Sequence, residues 1–236
     1  MAKHGLSHKN VLKLRNIGQR SRIMKKGILF DLDGTLWDSS EEVAFSWKQA
    51  LEQRPDVEKD ITIEDIQSVM GKTMEEIANI LFSEYDWKKR MELLQYCCKV
   101  ENEYIQSHGG KLLKGLEETL KSLREEGYHL YIVSNCQVGY IEAFFAYHKL
   151  GNYFDDFESY GGTGRPKGDN IRLVVERNGL DRAVYVGDTQ GDYDAAMQAG
   201  LPFIHARTGY GMVNADVPFV TELSQLPEKV KDFLKK

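Results

Sequence analysis

The sequence predicts an α/β protein: a three-layer core built on a parallel sheet, with a small all-helical unit inserted near its start. Apolar runs of strand length at residues 28–30, 129–133 and 183–186 alternate with amphipathic stretches of helical length. That alternation is the pattern of a parallel sheet covered on both faces. Each run then stops at polar residues: Asp31 and Asp33, Ser134 and Asn135, Gly187 and Asp188. Between residues 39 and 112, by contrast, only helical periodicity is present and no convincing strand.

The chain is organised around Gly27-Ile28-Leu29-Phe30-Asp31-Leu32-Asp33-Gly34-Thr35-Leu36. Strand side chains alternate faces, so Asp31 and Asp33 leave the strand on one side. Gly34 marks a turn and a backbone that another group approaches closely. Two acids on one short loop repel each other, and burying them beside an apolar strand is costly unless a cation neutralises them. A hard divalent ion with oxygen ligands, such as Mg²⁺, is the natural partner. One carboxylate can then attack an electrophile while the other handles protons.

At 236 residues with a net charge of −5, the chain can hold one large domain, or a core plus a smaller module, and has no general attraction for nucleic acid. No apolar run reaches the roughly 18 residues of a membrane span, and no secretory signal pattern is present. Neither nucleic acid nor membrane is an expected partner. Cys97, Cys98 and Cys136 are odd in number and two are adjacent, so a reducing cytoplasmic location is expected. Residues 1–26 carry eight Lys and Arg and no acid. Such a stretch suits a nucleic-acid arm or a transit peptide. Because Met24-Lys25-Lys26 directly precedes the first strand, residues 1–23 are expected instead to be an extension the core does not require.

Along the chain, Asp38-Ser39-Ser40-Glu41-Glu42 signals a helix start, with Val43, Trp47, Ala50 and Leu51 at helical spacing until Arg54-Pro55. Further helices are expected at 63–69, 74–82 and 87–108. An all-helical insert directly after the paired acids is best explained as a cap over them, giving a core of 24–38 and 113–236 and a cap of 39–112. Trp47 and Trp87 read as cap packing, and Trp37 as a residue near the hinge. Leu116, Leu120 and Leu123 mark a helix ending at Gly127. Residues 139–150 read as another helix, and Phe157-Glu158-Ser159 as a short strand before the basic, Gly-rich stretch 161–168. A helix should run from 169 or 170 to 177 and another from 193 to 199, Asp192 being also a plausible helix N-cap. Strands at 203–205 and 219–220 and a surface helix at 226–234 complete the pattern.

Four of these strand ends, in order, resemble the motifs of the haloacid dehalogenase superfamily, and of its helical-cap phosphatases of phosphoglycolate phosphatase type. The resemblance covers nearly everything after Met24 and implies a Rossmann-like core. In Asp31-Leu32-Asp33-Gly34-Thr35 it makes Asp31 the nucleophile and Asp33 the general acid and base, with backbone amides at Gly34 holding developing charge. Dehalogenases of the superfamily lack the second acid, so Asp33 points to phosphoryl chemistry. Ser134 takes the second motif's hydroxyl role, and Asn135 a substrate contact. The third motif is a Lys that in many relatives directly precedes Pro; here Arg165 precedes Pro166 and Lys167 follows it. Lys167 is assigned the role, because a compact ammonium suits a point contact, with Arg165 as runner-up and substrate contact. Gly187-Asp188-Thr189-Gln190-Gly191-Asp192 resembles the fourth motif, in which Asp188 ligates the metal and Asp192 supports it. The implied Mg²⁺ set is Asp31, Asp33 through its carbonyl, Asp188 and Asp192. Lys72, in the Gly71-Lys72-Thr73 break between cap helices, falls where relatives select substrate, although a solvated turn lysine is an equal expectation.

The activity implied is a Mg²⁺-dependent phosphatase that hydrolyses a small phosphorylated metabolite through an aspartyl-phosphate, as a monomer or weak dimer. Alternatives are a sugar-phosphate mutase, a phosphonate hydrolase using Lys72 as a Schiff base, or a non-catalytic metal-binding regulatory module. Phosphoglycolate, sugar phosphates and nucleotides all remain open as substrates, because cap loops set that choice.

Overall fold

Short runs rich in β-branched and aromatic residues, bounded by turns, pair side by side. The computed structural model describes residues 24–235, and the extension expected at 1–23 lies outside the described residues. Strand β1 (Lys26–Phe30) is the first of the sheet. Two short strands, β2 (Trp37–Asp38) and β3 (Lys111–Leu112), form an antiparallel ladder of their own. The sheet continues with β4 (His129–Ser134), β5 (Asp156–Ser159), β6 (Arg182–Gly187), β7 (Phe203–Ala206) and β8 (Phe219–Val220). Its order is β5-β4-β1-β6-β7-β8, and every pairing is parallel.

That order places the site. From β1 the chain steps outward through β4 and β5, returns to the other side of β1 as β6, and steps outward again. Open α/β sheets bind ligands beyond the carboxyl ends of the two strands flanking such a reversal. Here those strands are β1 and β6, which lead into Asp31 and Asp188. The Asp31 N–H donates to the Val186 carbonyl at 2.8 Å, extending the β1–β6 pairing one residue into the crevice.

Alternation along β1 divides the core. Ile28 and Phe30 pack on one face with Leu116, Leu120 and Leu123 of α5 (Leu116–Glu125) and with Leu226, Val230 and Leu234 of α10 (Leu226–Leu234). Leu29 packs on the other with Ile171 and Val174 of α8 (Lys167–Arg177) and Ala195 and Ala196 of α9 (Gln190–Ala199). Period-2 strands facing period-3.6 helices thus give three layers. Helix α6 (Tyr140–His148) follows β4, and a single helical turn, α7 (Tyr160–Thr163), follows β5.

Between β2 and β3 lie α1 (Ser40–Glu52), α2 (Ile63–Val69), α3 (Met74–Leu81) and α4 (Trp87–His108). Both passages of the chain into and out of these helices run through the β2–β3 ladder, where Trp37 pairs with Leu112 and Asp38 with Lys111. The strand at Lys111–Leu112 was not expected, because two residues are too few to display alternation. Helix α8 begins at Lys167, earlier than predicted, since Pro166 holds φ at −53° and the helix follows it directly. Helix α9 begins at Gln190, because Thr189 and not Asp192 is its N-cap. Trp87 does not pack the cap: it opens α4 on the surface with 54% exposure, while Trp47 is buried against Phe82. No helix among the described residues is long and apolar enough to cross a membrane.

Ile132, on β4 beside β1, is fully buried. Ile132→Ala should therefore lower unfolding stability by about 2–5 kcal/mol in urea titration; a loss under about 1 kcal/mol would mean this face is not closely packed.

Candidate active site

Asp31 is almost wholly buried, and its Oδ1 accepts from Lys167 Nζ at 2.8 Å. The same ammonium donates to Asp192 Oδ1 at 2.7 Å. Lys167 itself is only 5% exposed, so one buried cation lies between two buried acids. Position explains the contact: as the first residue of α8, Lys167 is aimed along the helix start toward the strand ends. Burial opposes its charge, but Asp192 and Asp31 outweigh that and hold the ammonium well above its ordinary range. Burial, then the field of Asp192, push Asp31 upward against the pull of Lys167.

Asp192 has a second duty. Its Oδ2 accepts the Thr189 N–H at 3.0 Å and the Thr189 hydroxyl at 2.7 Å, while the Thr189 hydroxyl accepts the Asp192 N–H. This reciprocal pair caps α9 and leaves the other oxygen to Lys167. Asp192 is thus the third residue of α9 in a capping box whose N-cap is Thr189, and not the N-cap itself, while its other oxygen holds Lys167.

Asp188 follows β6 and is fully buried. Its Oδ2 accepts from the Tyr210 N–H at 2.8 Å and the Gly211 N–H at 3.3 Å, while its buried Oδ1 has no hydrogen-bond partner. Burial, then Asp192, push its carboxyl up to about 7. Gly34 at φ +76° makes room for it: a Cβ there would stand 2.4 Å from Asp188 Oδ2.

Asp33 is held differently. Its Oδ1 accepts from Trp37 Nε1 at 2.9 Å, the Ser39 hydroxyl at 2.8 Å and the Tyr140 hydroxyl at 2.9 Å. With one oxygen filled by three donors, the other is the atom left to carry a proton. Burial raises the Asp33 carboxyl, and the three donors restrain the rise. Ser39, placed as the N-cap of α1, makes no side-chain cap bond there, since its hydroxyl serves Asp33.

One partly open cavity, with about 50 Å³ of space, is lined by Asp31, Asp33, Ser134, Asn135 and Lys72. Asn135 Nδ2 donates to the Gly71 carbonyl at 2.9 Å, tying the core to the α2–α3 turn, and its Oδ1 is buried without a partner. Arg165 is exposed, so Lys167 and not Arg165 is the base that reaches the acids. Tyr140, Tyr210, Glu101 and Gln137 were not anticipated. Glu101 carried a usable signal, an acid on the buried α4 face formed by Leu94, Cys97, Cys98 and Ile105.

The donor set fits a hard cation. One ligand oxygen from each of Asp31, Asp188 and Asp192 lies within 4.8 Å of the others, the chemistry is all oxygen, and the orphaned Asp188 Oδ1 lacks a partner that an ion would provide. Lys167→Met removes the only side-chain cation touching Asp31 and Asp192 among the described residues. Breaking such a buried pair costs about 3–5 kcal/mol. The folded acids then bind protons more tightly than the unfolded chain, so stability should fall as pH rises. In metal-free buffer the Lys167→Met melting temperature should drop relative to wild type between pH 5 and pH 8; parallel profiles would contradict the clamp.

The profile of the haloacid dehalogenase-like hydrolases matches residues 28–206, a span holding Asp31, Ser134, Lys167, Asp188 and Asp192. The chain is 27% identical over 217 residues to a phosphoglycolate phosphatase of Aquifex aeolicus (strain VF5), covering 86% of this chain and 94% of that one. It is 29% identical over 192 residues to a glyceraldehyde 3-phosphate phosphatase of Methanocaldococcus jannaschii, covering 75% and 83%. A crystal structure of a predicted phosphatase from Clostridium acetobutylicum superposes with a TM-score of 0.72 at 25% identity, covering 89% of this chain and all of that one. Matched over most of its length, and with its buried acids inside the matched span, the chain belongs to the haloacid dehalogenase-like hydrolase family.

Proposed function

We propose that this phosphatase of the haloacid dehalogenase-like family hydrolyses a small phosphate monoester through an aspartyl-phosphate on Asp31, with Mg²⁺ as its metal. The observation that carries this is the convergence of Asp31, Asp188 and Asp192 on one point, with Lys167 between two of them and Asp33 lining the same cavity as Asp31. The relatives named for phosphoglycolate and glyceraldehyde 3-phosphate support a small phosphorylated metabolite as substrate.

An oxygen of Asp31 attacks phosphorus in line, the new O–P bond forms, and the ester P–O bond breaks. Asp33 gives its proton to the leaving alcohol oxygen. In the second half, the Asp33 carboxylate takes a proton from water, whose oxygen attacks phosphorus and frees Asp31. Lys167 and the Ser134 hydroxyl, both buried at this site, stabilise charge on the phosphoryl oxygens. Mg²⁺ would be held by Asp31, Asp188 and the Asp33 carbonyl, with Asp192 in support, and supplies charge neutralisation. The helices of 39–112 act as a cap on the core of 24–38 and 113–236, hinged at the β2–β3 ladder, and keep stray water out.

Phosphate release from a panel of phosphate monoesters, with Mg²⁺ and then with excess chelator, tests the proposal. Hydrolysis that the chelator abolishes is expected; hydrolysis indifferent to it would refute the metal assignment. Asp33→Asn should cut kcat by about 10²–10⁴-fold, the range for a general acid-base group, and a loss under tenfold would remove Asp33 from that role.

Only protonated Asp33 can serve the leaving oxygen, so kcat/KM should fall as pH rises through its pKa. The Tyr140 bond favours the carboxylate and holds that pKa down. Tyr140→Phe should thus move the alkaline limb upward by about half to one pH unit, taking a bond of about 0.5–1.5 kcal/mol at 1.36 kcal/mol per unit. A downward shift would contradict the assignment.

A further inference from the structure

Glu101 is a buried acid that the chemistry above does not use. It sits on α4, is 4% exposed, and lines the same cavity as Asp31 and Asp33. Its two oxygens are fixed separately: Oε2 accepts from Trp47 Nε1, and Oε1 from Gln137 Nε2 at 3.0 Å. Gln137 is in turn anchored to Asn102 Oδ1 at 3.0 Å. No salt bridge neutralises Glu101 among the described residues; burial pushes its carboxyl up to about 7, the bonds from Trp47 and Gln137 restrain the rise and Asp33 adds to it, so the group is charged at pH 8. Asp33 is the group proposed to protonate the leaving alcohol, and Glu101 lines the cavity into which Asp33 faces. The nearby wall is otherwise largely apolar, with Val43, Val69, Met74 and Ile77.

We propose that Glu101 is the specificity-determining residue of the pocket, accepting a hydroxyl or ammonium on the leaving alcohol and rejecting esters whose alcohol carries a carboxylate. Each Glu101 oxygen accepts one bond from the protein, and a carboxylate oxygen has capacity for another. A substrate donor can use it, whereas a second carboxylate would meet like charge in a partly desolvated space, with apolar neighbours that offer no compensation. Lys72 is the one basic side chain lining the cavity, and its charge acts on Glu76 of α3. The substrate class is therefore a phosphate monoester of a neutral hydroxylated or cationic alcohol. Phosphoglycolate is a poor substrate of this chain despite its kinship with enzymes named for it.

This inference rests on the phosphatase reading, and the two can fail separately. Wild type is assayed with Mg²⁺ at pH 8 on p-nitrophenyl phosphate, glycerol 1-phosphate, phosphoethanolamine and phosphoglycolate. Glycerol 1-phosphate or phosphoethanolamine should exceed phosphoglycolate in kcat/KM by about tenfold or more, and the isosteric Glu101→Gln should narrow that ratio by about tenfold, the order expected for one repelled charge. Equal or better use of phosphoglycolate by wild type overturns the inference while p-nitrophenyl phosphate turnover leaves the phosphatase reading standing; loss of phosphoglycolate turnover in Lys72→Ala would then assign the carboxylate to Lys72. A ratio unchanged in Glu101→Gln also overturns it. Should that variant not fold, the wild-type ratio decides alone. Failure to hydrolyse any of the esters defeats both.

Discussion

A single buried ammonium, Lys167, lying between Asp31 and Asp192, is the constraint on which the site depends. Three carboxylates packed at the ends of β1 and β6 cannot all remain charged in an apolar setting without positive charge among them. Lys167 neutralises part of that charge from the protein side, and the partnerless Asp188 Oδ1 marks where the remainder is open to a cation. Asp192 shows how economically this is built. One of its oxygens caps α9 and the other holds Lys167, so the start of a helix and the charge balance of the site are a single structural event.

The sheet order explains why these groups meet at all. Reversal of strand order at β1 brings Asp31 and Asp188 to either side of one crevice, although the paired residues Lys26 and Arg182 lie 156 positions apart in sequence. The helical insert is tied to this crevice through polar groups. Tyr210 donates its backbone N–H to Asp188 and its hydroxyl to Asp38 on the β2–β3 ladder, and Asp38 accepts from Ser40 at the start of α1. Asn135 reaches from the end of β4 to the Gly71 carbonyl. The acid cluster and the β2–β3 ladder therefore share Tyr210 as a hydrogen-bond partner, and the α2–α3 turn is tied separately to the end of β4 by Asn135.

Much of this was legible in the sequence because it is encoded locally. A strand followed by polar residues declares itself within ten positions, and Asp31, Asp33, Ser134 and Asp188 all stand at such ends. Lys167 was separable from Arg165 only by chemical type; burial then divided them, the one inside and the other exposed. What stayed hidden depends on groups that meet across long separations from the interiors of helices and loops. Tyr140 reaches Asp33 across 107 positions, and Tyr210 reaches Asp38 across 172. Ser39 looked like a helix cap and instead serves Asp33, because a hydroxyl can satisfy either partner and only the folded position decides. Trp87 was misplaced for the same reason: an aromatic at a helix start gives no sign of which face it will occupy.

Hydrolysis by this route requires that phosphorus become bonded to Asp31. Brief exposure of the enzyme to p-nitrophenyl phosphate with Mg²⁺, acid quenching, and peptide mapping by mass spectrometry ask that directly. A phosphoryl adduct on the peptide containing Asp31, absent when Asp31 is replaced by Asn, is the predicted result. Turnover that continues with the adduct on another residue, or in the Asp31→Asn protein at an undiminished rate, would contradict it.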